Sequence, residues 1–114
     1  MKEQNYSGEE KEGLPHGQGT MIYADDSKYE GEWRYGERHG KGVWIRPDGS
    51  YYEGEWKNDR QHGKGLDISE NGDRYEGEWR DGEWHGKGFM QREDGYEYEG
   101  EWHVVGIVND EWTI

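Results

Sequence analysis

Residues 29–49 read Tyr29-Glu30-Gly31-Glu32-Trp33-Arg34-Tyr35-Gly36-Glu37-Arg38-His39-Gly40-Lys41-Gly42-Val43-Trp44-Ile45-Arg46-Pro47-Asp48-Gly49. The first five residues recur unchanged at 52–56, 75–79 and 98–102, each copy 23 residues after the last. A weaker copy, Tyr6-Ser7-Gly8-Glu9-Glu10, stands 23 residues upstream. His-Gly-Lys/Gln-Gly follows ten residues after each leading tyrosine, starting at His16, His39, His62 and His85. A second punctuation follows at Asp25-Asp26, Asp48-Gly49, Asn71-Gly72 and Asp94-Gly95. Of 20 glycines, only Gly106 falls outside five fixed offsets of this unit. A flexible linker would scatter its glycines, so each offset answers a geometric demand.

Within the unit, Tyr-Glu-Gly-Glu-Trp alternates with period two, which sends Tyr, Gly and Trp to one face of a strand and both glutamates to the other. The next four residues, such as Tyr35-Gly36-Glu37-Arg38 or Asp81-Gly82-Glu83-Trp84, read as a turn. A second strand follows through 42–45, 65–68 and 88–91. The Asp-Gly or Asn-Gly pair then returns the chain to the next tyrosine. The register of the second strand stays open, because Val43, Trp44 and Ile45 put apolar residues on both parities. The expected fold is therefore all-β: an elongated, single-layer antiparallel sheet of consecutive hairpins, one per repeat, in a single domain spanning 1–114. The repeats are bounded at 6–28, 29–51, 52–74, 75–97 and a partial 98–114. Ten strands at ~4.8 Å predict a rod roughly 45–50 Å long.

Composition narrows the function classes. The 114 residues carry 14 Lys+Arg against 27 Asp+Glu, a net charge of −13, with 28% hydrophobic residues and no cysteine. Leu, Ile, Val and Phe together number only 12. That is far below the roughly 20% under which a highly charged chain reads as disordered. The aromatic share of 15% points the other way. Each buried Tyr or Trp can contribute roughly 150–250 Å², so stacked rings can replace an aliphatic core. The charge disfavours phosphate backbones and anionic lipid, and makes cationic partners the easy ones. No cysteine means no thiolate metal site or cysteine nucleophile. No apolar run approaches a membrane span, and the first residues lead into no signal-peptide core. A cytoplasmic location is the expectation.

The order Tyr-Glu-Gly-Glu-Trp, His-Gly-Lys-Gly, Pro-Asp-Gly closely resembles the MORN repeat (membrane occupation and recognition nexus). The resemblance covers nearly the whole chain. It implies a twisted antiparallel sheet of hairpins with a groove along one face, serving as a non-catalytic module for partner binding or membrane association. Unit one departs from the pattern with Glu10 in place of Trp. Unit three has Asp59 where the turn glycine is expected. Unit five loses the His-Gly-Lys-Gly motif, although Trp112 and Ile114 keep the offsets of Phe89 and Gln91.

Three groups of residues are candidates for function. Tyr29, Trp33, Tyr52, Trp56, Tyr75, Trp79, Tyr98 and Trp102 form an aromatic row, read as core and, in part, as the lining of a partner groove. Glu30, Glu32, Glu53, Glu55, Glu76, Glu78, Glu99 and Glu101 form an acidic face that would solubilise the sheet and steer a basic or amphipathic partner. Tyr35 and Trp84 break the repeat in the first turn, where exposure would make them contacts at a partner-binding edge. The four histidines are two strands apart, about 10 Å, too far to share a metal, so a hydrogen-bonding role near the turn is expected of them. Identical environments along a regular array also leave no pair of carboxylates tuned apart for acid–base work. No enzyme, metal or cofactor is expected. The expected function is an adaptor for a protein partner. Membrane association, a homodimer through residues 104–114 and an idealised designed array are the other readings.

Overall fold

A computed structural model describes residues 5–102. They form nine strands: β1 (Asn5–Lys11), β2 (Leu14–Ile22), β3 (Lys28–Arg34), β4 (Glu37–Ile45), β5 (Tyr51–Lys57), β6 (Arg60–Ile68), β7 (Arg74–Arg80), β8 (Glu83–Gln91) and β9 (Glu97–Trp102). The strands pair in chain order in one antiparallel sheet, with no helix among the described residues. Contacts run between successive strands, as in a one-dimensional array. The long axis measures 48 Å; the tenth strand on which the expected length was counted lies outside the described residues.

The hairpin turn is tighter than expected. It holds two residues, not four: Glu12-Gly13, Tyr35-Gly36, Asn58-Asp59 and Asp81-Gly82. Both residues of each pair have positive φ, for example 46° and 86° at Tyr35-Gly36 and 49° and 71° at Asn58-Asp59. This is the type I′ turn, whose twist matches that of the flanking strands. Asp59 thus adopts the conformation that glycine holds in the other units, one that Asn and Asp tolerate better than most residues. Consequently Glu37, Arg38, Glu83 and Trp84 belong to strands. The longer return loops close on their own side chains. Asp25 and Asp48 accept hydrogen bonds from the amide and hydroxyl of Ser27 and Ser50, at 2.8 and 2.6 Å in each loop. The serine hydroxyl, then the amide, holds each carboxyl below its ordinary pKa.

Glycine fixes the register. Gly8, Gly19, Gly31, Gly42, Gly54, Gly65, Gly77, Gly88 and Gly100 pair with one another in an unbroken row across all nine strands. A Cβ on Gly54 would lie 2.4 Å from the Cα of Gly65, and one on Gly65 would lie 2.2 Å from the Tyr52 hydroxyl. The row is therefore where the backbones close up and the tyrosine lies down on the sheet. With glycine opposite glycine, Trp44 pairs with both Tyr29 and Tyr52 and joins the aromatic face, while Val43 and Ile45 turn to the other.

Candidate functional site

The aromatic face is packed. Tyr29, Tyr52 and Tyr75 are at most 1% exposed, and Trp33, Trp56 and Trp79 at most 6%. Tyr29 and Tyr52 each meet the tryptophan of their own unit and that of the next edge-to-face, and Tyr75 meets Trp79 in the same way, with centroids 5.0–5.4 Å apart. This is the arrangement the ring quadrupoles favour. The polar atoms are satisfied within the ladder. The hydroxyls of Tyr29, Tyr52 and Tyr75 donate to the carbonyls of Glu32, Glu55 and Glu78 at 2.8–2.9 Å. The indoles of Trp33, Trp56 and Trp79 donate to Gly19, Gly42 and Gly65 at 3.0–3.2 Å. Burial pushes the three phenols well above their ordinary pKa. These six residues are core, and a partner on this face would meet little more than their edges.

The remaining aromatic candidates differ. Tyr98 is half-buried against the core. The side chain of Trp102 lies outside the described residues, as do the 104–114 segment, Trp112 and Ile114. Trp84 is not at an exposed turn. It is half-buried on β8, stacked on Tyr75 with centroids 4.3 Å apart and 9° between planes, and edge-on to Trp79 at 6.4 Å. Tyr35 does sit at a turn and is 47% exposed. Its ring lies 4.6 Å from that of His16, and its amide donates to His16 Nδ1 at 3.2 Å. That bond gives His16 the turn-associated role expected of the histidines. The Nδ1 of His85 has no partner among the described residues.

The glutamates divide into two sets. The first of each unit, Glu30, Glu53, Glu76 and Glu99, is exposed. The second is structural. Glu9, Glu32, Glu55 and Glu78 each accept from a backbone amide nine residues on, at Gln18, Lys41, Lys64 and Lys87, over 2.6–3.1 Å. These amides sit where the hairpin register shifts between Gly8/Glu10, Gly31/Trp33, Gly54/Trp56 and Gly77/Trp79. A bulge takes an amide out of the ladder, and the carboxylate replaces the lost acceptor with a charged one. For Glu32, Glu55 and Glu78 this corrects the reading of a purely solvated acidic face.

The acidic face also carries apolar residues that sequence reasoning did not assign to it. Val43, Leu66 and Phe89 alternate with the exposed glutamates across the strands. Ile22, Ile45 and Ile68 repeat one row further out. Pairing glycine with glycine would have placed them, because Gly31 opposite Gly42 fixes the parity of everything after it. Two positions on the aromatic face vary from unit to unit. One holds Pro15, Arg38, Gln61 and Trp84, the other Met21, Trp44, Asp67 and Met90. Their occupants make unit-specific bonds: Arg38 pairs with Asp59 at 2.9 Å and lies 4.8 Å over Trp56, and Arg46 pairs with Asp67 at 2.6 Å.

The MORN-repeat family model matches four consecutive stretches of the chain, residues 6–28, 29–51, 52–74 and 75–95. No curated protein matches it.

Proposed function

The chain belongs to the MORN-repeat family, and from that premise we propose that it is a non-catalytic adaptor that binds a protein partner through a basic or amphipathic segment. Repeats of this family are generally non-catalytic and are known in protein- and membrane-associated scaffolds. The observation that carries the reading is the single layer. The aromatic face consumes its own side chains in packing, while nothing among the described residues covers the face bearing Glu30, Glu53, Glu76 and Glu99. A net charge of −13 favours a cationic partner for such a face. Membrane association is the competing reading within the family, and like charge opposes it on anionic lipid.

The test sets protein against lipid. The chain is incubated at physiological salt with phosphatidylserine or phosphoinositide vesicles and, in parallel, with an array of basic and acidic peptides. Retention by basic peptides, with the chain left in the vesicle supernatant, is the expected outcome. Sedimentation with the vesicles, or indifference to peptide charge, would overturn the reading.

A further inference from the structure

The uncovered face is a ruler. Its middle row alternates the exposed carboxylates Glu30, Glu53, Glu76 and Glu99 with Val43, Leu66 and Phe89. Equivalent residues are two strands apart, so carboxylates and apolar residues each recur every ~9.6 Å. Among the described residues the row itself holds no cation, and Arg74 of the outer row reaches Glu76 at 3.3 Å in an exposed pair that a cation of the partner would share. The next row inward alternates in sign, with Lys41 opposite Glu55 and Lys64 opposite Glu78. Open clefts lie along these two rows: one of 620 Å³ against Glu53, Leu66 and Glu76 with Lys64 and Lys87 at its inner side, one of 600 Å³ against Val43 and Glu53 with Lys41 and Lys64, and one of 410 Å³ against Phe89 and Glu99 with Lys87. Ile22 and Ile45, on the outer row, are exposed at 42% and 36%.

We propose that this face is a track for a basic segment of a partner protein in the polyproline II conformation, running across the strands with Lys or Arg at every third position. The proposal rests on the adaptor reading and names its ligand. Periodicity selects the conformation. Polyproline II rises ~3.1 Å per residue, so every third side chain returns to one side after ~9.3 Å, which is ~0.3 Å short of the ~9.6 Å interval. An α-helix returns after seven residues, ~10.5 Å, and over three intervals its error grows to ~2.7 Å against the ~9.6 Å pitch, enough to miss the last carboxylate. A β-strand returns a side chain to one side every ~6.7 Å, so three of its repeats, ~20 Å, span two intervals and it meets only every second carboxylate. Charge selects the sequence: each cation of the segment meets one carboxylate of the middle row. The two intervening residues, proline or aliphatic, lie against Val43, Leu66 and Phe89. The lysines of the inner row confine the segment laterally by repelling cations placed out of line.

The experiment measures fluorescence anisotropy of labelled twelve-residue peptides with the full chain. One peptide carries lysine at every third position among prolines and alanines. A second has the same composition with the four lysines contiguous. A third, lengthened to about 22 residues so that it forms a helix, carries its four lysines at every seventh position. The every-third peptide is expected to bind about tenfold more tightly than the others, and more weakly as salt rises. Glu53→Gln with Glu76→Gln is expected to abolish that advantage. Glu12→Gln with Glu70→Gln, which removes the same charge from exposed turns, is expected to preserve it. Equal binding of all three peptides would overturn the track, and preference for the helical peptide would overturn the conformation. No binding of any of them would overturn the proposal while leaving the adaptor reading to the vesicle and peptide-array test.

Discussion

Gly54→Ala and Gly65→Ala place the same methyl group on two sides of one glycine pair, and the structure predicts different costs. At Gly65 the nearest atoms to the new Cβ all belong to Tyr52: the hydroxyl at 2.2 Å and two ring carbons at 2.4 Å. The ring has to tilt off the strand, easing its edge-to-face contacts with Trp56 and Trp79. Doing so forfeits the Tyr52 hydroxyl bond to Glu55, about 1 kcal/mol, and adds overpacking of about 1–3 kcal/mol. Loss of chain entropy in the unfolded state on replacing glycine returns about 0.4–1 kcal/mol. The expected net destabilisation is about 1–3 kcal/mol. At Gly54 the nearest atoms are the Gly65 Cα at 2.4 Å and the Lys64 carbonyl oxygen at 2.5 Å. Backbone has nowhere to go without parting β5 from β6, so the expected cost is about 3–5 kcal/mol, in the range reserved for structural breakage. Neither glycine has positive φ, so dihedral strain does not confuse the comparison. Urea unfolding followed by tryptophan fluorescence reads both variants, and their adjacency means that any array-like unfolding affects them alike. A neutral Gly65→Ala, or a Gly54→Ala milder than Gly65→Ala, would refute the account of the glycine row.

Other consequences are open to test. Glu55→Ala should cost about 1–3 kcal/mol by orphaning the Lys64 amide, with faster hydrogen exchange at that amide, whereas Glu53→Ala should stay within about 0.5 kcal/mol. Trp84→Ala should lose about 2 kcal/mol through the ring stacked on Tyr75, while Tyr35→Ala at its exposed turn should change thermal stability little. The phenols of Tyr29, Tyr52 and Tyr75 have raised folded-state pKa values, caused first by burial. The folded state therefore keeps protons that the unfolded state releases. Their contribution is complete below the unfolded value of roughly 10 and is lost as pH rises from there toward the folded values. Ultraviolet titration of the nine tyrosines should show these three ionising only with unfolding, and their ionisation alongside exposed tyrosines in folded protein would contradict the packing.

Much of this was legible before any coordinates. The 23-residue interval, the strand-turn-strand reading and the aromatic core all follow from period-two alternation and from residues whose backbone or ring chemistry admits few uses. The functional surfaces were less legible. Trp84 reads as a turn residue if the turn has four members, and as a core ring once positive φ at Asp81-Gly82 shortens the turn to two. Glu32 and Glu53 look alike in the sequence. They differ because a register shift beside Trp33 exposes an amide that only Glu32 reaches. Val43, Leu66 and Phe89 were visible as apolar residues but could not be assigned a face, because local alternation carries no absolute phase.

By itself the sequence determined the kind of sheet, its repeat and its length, since those depend on local periodicity and on strand spacing that every sheet shares. Only the tertiary structure decided which residues face which way and which charges are already engaged. Those depend on how one strand registers against the next. Here nine glycines set that register, through contacts between backbones that lie far closer than any side chain would allow.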